Sequence, residues 1–168
     1  MRVELVQLPP EVLRALADGD RAAAEARSPV PLSDYLAGPE CREVWSVRAG
    51  QVLADPSSAA WITAVVRDPD RGLAVGRAGF HGPPDEGGTV EVGYSIDPLH
   101  RRRGYARAAV RALLDRAARE PGVRTVRAAV GPGNEPSLQL VRSLGFVAVG
   151  EQIDEVDGLE IVHERPAG

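Results

Sequence analysis

Lysine is absent from this 168-residue chain; all 20 of its basic residues are arginine. That removes two chemistries at once. No lysine Schiff base can form with a cofactor or carbonyl substrate, and a P-loop, which reaches phosphate with its lysine, is excluded. Cysteine is nearly absent too. Cys41 alone cannot form an internal disulfide, and a reducing, cytoplasmic setting fits. No apolar run approaches the roughly 20 residues that span a bilayer, so no membrane partner is expected. The segment from Met1 to Gln7 lacks the apolar stretch of a signal peptide and reads as a first strand. His81, His100 and His163 lie far apart and show no metal-ligand spacing, so no metal is expected and each reads as structural or exposed. Internal repeats, low-complexity tracts and interdomain linkers are lacking as well. The length suits one domain over residues 1–168, enough to bury a full core.

The charge that is present is unevenly placed. From Arg101 to Arg127 nine arginines face only Asp115 and Glu120, while Glu151 to Glu164 carries six carboxylates. A nucleic-acid binder is basic overall or over a broad face, and this chain has a net charge of -4. A basic cluster in an acidic protein points to a small phosphorylated ligand and away from nucleic acid.

Periodicity divides the chain into recognisable elements. Arg2 to Leu8 alternates as an edge strand, and a helix begins at Pro9-Pro10 with Val12, Leu13 and Leu16 on one face. Asp20 caps a second helix through Ala26. Residues 28–56, rich in proline, read as irregular or briefly helical. Trp61 to Arg67, Leu73 to Phe80 and Thr89 to Ile96 form an antiparallel meander joined by Gly/Pro turns. A helix follows from Ala106, its apolar positions being Ala106, Val110, Leu113, Leu114 and Ala117. Val123 to Val130 is a strand, Asn134 caps a short helix closed by Gly145, and Phe146 to Ile153 with Leu159 to Glu164 makes a last hairpin. The fold class is α/β, with a mixed, mostly antiparallel sheet of about seven strands and helices packed on it.

One junction carries chemistry. The strand Val90 to Ile96 runs through Asp97-Pro-Leu-His100 into Arg101, Arg102, Arg103 and Gly104, where the long helix starts. Helix N-termini offer unpartnered N–H groups and partial positive charge, and glycine lets an anion approach the backbone. Three arginines are unfavourable at a helix N-terminus until an anion sits there. The junction suits a pyrophosphate-bearing ligand beside a strand.

Arg101-x-x-Gly104-x-Ala106 resembles the acetyl-CoA-binding motif Gln/Arg-x-x-Gly-x-Gly/Ala of the GNAT N-acetyltransferase superfamily. Asn134-Glu-Pro-Ser137 leading to Leu144-Gly-Phe146 is similar to that family's second block. Gly79-Phe-His-Gly82, Glu91-Val-Gly-Tyr94 and Arg102-Arg-Gly-Tyr-Ala106 look like its RimJ/RimL branch, the ribosomal-protein N-terminal acetyltransferases. The resemblance is specific over residues 72–146. It implies a GNAT fold and transfer of acetyl from acetyl-CoA to a primary amine, a small molecule or a peptide N-terminus. It also implies that the pantetheine arm pairs with Tyr94, Ser95 and Ile96, that Arg101, Arg102, Arg103, Gly104, Tyr105 and Ala106 hold the phosphates, and that Asn134 and Ser137 contact the arm and the sulfur. A homodimer is compatible with all of this. The alternative is a CoA-binding regulatory or sensor protein without turnover.

Catalysis requires a neutral amine and a proton for the departing thiolate. Amino groups with pKa values of about 8 to 10.4 benefit from a base. Glu91 shares a strand face with Gly93 and Ser95, opposite Val90 and Val92, and is the first candidate; a solvent-facing glutamate is the alternative. Gly93 marks a bend or a close backbone approach. Many family members carry a tyrosine acid where this chain has Val141, so Ser137 is the substitute donor, or else merely supports its own helix. Cys41 lies outside every motif, which favours direct attack in a ternary complex.

Overall fold

The computed structural model describes residues 1–168. Seven strands form a mixed sheet in the order β1-β2-β3-β4-β5-β7-β6. They are β1 (Glu4–Val6), β2 (Ala64–Asp68), β3 (Leu73–Phe80), β4 (Thr89–Ile96), β5 (Thr125–Val130), β6 (Val147–Asp154) and β7 (Gly158–Pro166). The helices are α1 (Pro10–Ala17), α2 (Arg21–Arg27), α3 (Pro39–Ala54), α4 (Tyr105–Arg119) and α5 (Glu135–Ser143). The chain divides into two compact units, each made of two segments.

The first unit comprises Met1–Gly79 and Tyr94–Val110. β1 and β2 pair antiparallel, as do β2 and β3. Its core gathers Val12, Leu13 and Leu16 of α1, Leu36, Trp45 of α3, and Ile62 and Val65, each at most 2% exposed. Buried Trp45 still satisfies its indole, whose Nε1 donates to the Leu36 carbonyl at 2.8 Å.

α3 corrects the sequence expectation. Its 16 residues form one long helix where the chain read as irregular or briefly helical. The buried positions Cys41, Trp45, Arg48 and Val52 follow helical spacing, but one is an arginine, while Val47 and Leu53 face outward. A polar residue on the covered face and apolar ones off it erase the periodicity that announces a helix. Arg48 is tolerated there because its Nε donates to Thr63 Oγ1 and its Nη1 to Gln51 Oε1, both at 2.8 Å. Two smaller differences concern strand ends. β1 is only three residues, and β2 begins at Ala64 because Pro56–Ala60 forms a 3₁₀ turn ahead of it.

The second unit comprises Phe80–Gly93 and Arg111–Gly168. β4 and β5 run parallel, in register from Thr89↔Thr125 to Glu91↔Arg127, while β5–β7 and β6–β7 are antiparallel. Val90 and Val92 of β4, Val126 and Ala128 of β5, and Leu138 and Val141 of α5 are buried. α4, whose residues 105–110 are assigned to the first unit and 111–119 to the second, buries Tyr105, Ala109, Val110, Leu113, Leu114 and Ala117; Ala106 falls beside that stripe rather than on it.

Candidate active site

The arginine loop is pinned from behind. Asp97, 4% exposed, donates its backbone N–H to the Val75 carbonyl at 3.0 Å, and its Oδ1 accepts from Leu99 N at 2.9 Å. This closes the one-turn 3₁₀ helix Pro98–His100. Arg101 then folds back, donating from Nε to the Ile96 carbonyl at 2.9 Å. Arg101, Arg102, Arg103 and Gly104 are exposed.

Two residues of this loop hold left-handed backbone. Gly104 has φ +87°, and Arg102 has φ +61°, the chain's one non-glycine residue at positive φ. Such a conformation is costly for a side chain with a Cβ, and such strain clusters where a ligand is clamped. Left-handed residues of this kind are a component of the backbone nests that bind anions. A Cβ at Gly104 would meet nothing within 4 Å, so the position is open on its outer side. α4 starts at Tyr105, and Ala108 N donates to the Gly104 carbonyl at 3.0 Å, which makes Gly104 the residue that opens the helix.

Tyr105 anchors that opening. It is 2% exposed, and its hydroxyl donates to Asp68 Oδ2 at 2.6 Å. The bond holds the Asp68 carboxyl below its usual range and the Tyr105 phenol above its own. The phenol is therefore committed to the fold, and it is the helix backbone at Tyr105 and Ala106 that faces the loop.

Of the β4 residues, Ser95 bonds Tyr35 through the two hydroxyls at 2.6 Å. Burial raises the Tyr35 phenol, against the opposing effect of that bond. Tyr94 is half-buried and Ile96 buried. Cys41 is fully buried, and burial raises its thiol, outweighing the lowering effect of Arg77. A raised thiol is a poor nucleophile.

The second unit holds the remaining residues. Glu91 has a side chain 24% exposed, and its Oε1 lies 3.6 Å from His81 Nδ1. The two strands are bonded at that level, His81 N donating to the Glu91 carbonyl at 2.8 Å. Gly93 has its close neighbour in the same imidazole, because a Cβ there would stand 2.7 Å from His81 Nε2. Asn134 Oδ1 caps α5 by accepting from Ser137 N at 3.3 Å, leaving the Ser137 hydroxyl outside the cap. Val141 is fully buried, so this position belongs to the core. His163 is 1% exposed, with Nδ1 3.0 Å from the Ile161 carbonyl, and is structural. No group of three or more His, Cys, Asp or Glu is placed to hold a metal, and no helix is long and apolar enough to cross a membrane.

Sequence reasoning missed three partners: His81 for Glu91, Tyr35 for Ser95, and Asp68 for Tyr105. Only His81 left a signal. It directly follows a strand that returns as β4, so a hairpin register could have placed it opposite Glu91.

This loop, strand and helix order matches a known family. The chain belongs to the GNAT acetyltransferases, whose domain model matches residues 11–147. It is 30% identical over 153 residues to the uncharacterized N-acetyltransferase YjdG of Bacillus subtilis, covering 88% of this chain and 86% of that one. Among solved structures, a chimera of the Vibrio cholerae spermidine N-acetyltransferase SpeG and hSSAT superposes with TM-score 0.70 at 16% identity, covering 99% of this chain and 96% of the other. The ribosomal-protein-S5-alanine acetyltransferase of Vibrio fischeri superposes with TM-score 0.65 at 21% identity, covering 98% and 92%. Both structures share the fold.

Proposed function

We propose that the protein transfers an acetyl group from acetyl-CoA to a primary amine by direct attack in a ternary complex. The observation that carries this is the loop Arg101–Gly104, with left-handed Arg102 and Gly104 ahead of the α4 N-terminus. Strained backbone, exposed arginines and the helix dipole all favour a multiply charged phosphate group, which is the recognition handle of CoA. Arg101, Arg102, Arg103 and the backbone of Gly104, Tyr105 and Ala106 hold the phosphates. Tyr94, Ser95 and Ile96 offer strand backbone to the pantetheine amides, as an added strand would be paired. Asn134 and Ser137 contact the arm.

Chemistry then needs few groups. The amine nitrogen attacks the thioester carbon while Glu91 takes its proton, directly or through water. CoA leaves as a thiolate whose conjugate acid has a pKa of about 8.5, so the proton from Ser137 assists without being essential. Buried Cys41, with its raised thiol, supports direct attack over an acyl-enzyme. The acceptor carries positive charge, because the β6–β7 hairpin holds Glu151, Asp154, Glu155, Asp157 and Glu160. A polyamine and a peptide N-terminus both meet that description.

A panel of polyamines, aminoglycosides and peptides incubated with acetyl-CoA, followed by free thiol release, tests this reading. Release above the amine-free rate with at least one amine is expected. Tight CoA binding without release on any of them would leave the CoA-sensing alternative.

A further inference from the structure

Glu91 does not face its surroundings alone. Its Oε1 is 3.6 Å from His81 Nδ1, and the other ring nitrogen, Nε2, lies over Gly93, where any side chain would collide with it at 2.7 Å. The imidazole therefore lies along β4, one nitrogen turned to the carboxylate and the other over a bare stretch of the same strand. Glu91 has a side chain 24% exposed and His81 one of 46%, so the imidazole is the more accessible of the two. A carboxylate beside the ring favours the cationic form of the imidazole. The 3.6 Å separation is longer than a hydrogen bond and closes with a small ring rotation once the imidazole becomes cationic.

We propose that the His81 imidazole, rather than water, carries the proton from the acceptor amine, with Glu91 as its positioning partner. This rests on the acetyl-transfer reading. The amine lone pair forms the N–C bond to the thioester carbonyl. The C–S bond breaks and leaves its electron pair on the CoA sulfur. One N–H proton moves to the His81 imidazole, Glu91 stabilises the imidazolium, and the proton passes to solvent before the next turnover. Nothing is oxidised or reduced.

The charges around His81 favour that cation. Glu91 faces it from β4. Asp154, at the end of β6, is held below its usual range mainly by the backbone N–H groups of Asp157 and Val156, and additionally by positive charge on His81. Arg127 stands in register with Glu91 on β5, and its guanidinium is tied to Glu164 of β7 at 2.7 and 3.0 Å. The Glu91 carboxylate thus stands beside the imidazole, and the guanidinium in register with Glu91 is neutralised by its own partner.

The test has an arm that needs no turnover. Only three histidines exist, so NMR titration of the intact protein resolves each imidazole. An opposite charge at this distance raises a pKa by about a unit or more. Glu91→Gln should therefore lower the His81 pKa, and Asp154→Asn should lower it by less. An unchanged His81 pKa in Glu91→Gln overturns the pairing. In kinetics with an amine from the panel, His81→Gln should lower kcat by roughly 10²-fold with acetyl-CoA affinity kept, and the double variant with Glu91→Gln should be no slower than His81→Gln alone. Parent kcat in His81→Gln beside a slow Glu91→Gln overturns the relay yet leaves acetyl transfer standing, with Glu91 as the direct base. Absence of turnover on every amine in the parent protein overturns both.

Discussion

Gly104→Ala separates the phosphate site from the fold. At φ +87° any side chain is strained, but a methyl group there meets nothing within 4 Å. The folded protein therefore loses only left-handed backbone strain, roughly 1–2 kcal/mol. Against a total stability of about 5–15 kcal/mol the protein remains folded. Its Tm should fall by about 2–8 °C at this chain length. Gly72 supplies the control: φ is +67°, a Cβ again meets nothing, and it lies in the β2–β3 turn of the same unit. Gly72→Ala should show the same thermal loss. Only Gly104→Ala should weaken CoA, by tenfold or more, about 1.4 kcal/mol, because its methyl occupies the anion's approach to the backbone. Thermal melts and titration calorimetry with CoA measure both quantities on both variants. Parent affinity in Gly104→Ala, or equal weakening in Gly72→Ala, would refute the loop as the phosphate site.

Ser137→Ala should lower kcat by roughly tenfold, about 1.4 kcal/mol, with acetyl-CoA affinity unchanged; lost affinity at constant kcat would make Ser137 a cofactor contact only. The Asp68–Tyr105 bond should shape stability against pH. Asp68, depressed in the fold, contributes above its unfolded value near 3.8 and loses that contribution as pH falls through its lower folded value. Tyr105, raised from 10.0, contributes below that value and loses it as pH climbs through its higher folded one. Tyr105→Phe should therefore flatten both flanks of a Tm-against-pH curve, and a curve of unchanged shape would remove the bond from the account. Trp45→Ala empties a fully buried site and should cost about 3–5 kcal/mol in urea denaturation; a cost under about 1 kcal/mol would mean that α3 is not held by its tryptophan.

The reach of the sequence follows from how local each determinant is. Strand alternation in Thr89–Ile96, the Asn134 cap and Gly145 at the end of α5 depend on a few adjacent residues, and these stand where the pattern placed them. So does the arginine loop, whose charge, glycine and helix start are contiguous. Helix α3 escaped because its covered face includes Arg48, whose acceptor Thr63, 15 residues on, is brought to it only by folding. The left-handed backbone of Arg102 also had no local signal, since arginine does not favour it; the surrounding fold imposes it. Pairings such as Tyr35 with Ser95, 60 residues apart, and Tyr105 with Asp68, 37 apart, are likewise products of folding. The chain by itself determined most of its element types, its arginine–glycine loop and its family motif, because these are written within single turns and strands. Tertiary structure alone decided which side chains remain available for chemistry. It committed Tyr105 to Asp68 and buried Val141 and Cys41, and it laid His81 between Glu91 and Gly93, because a hydrogen bond or a buried contact forms only when distant segments are brought to one place.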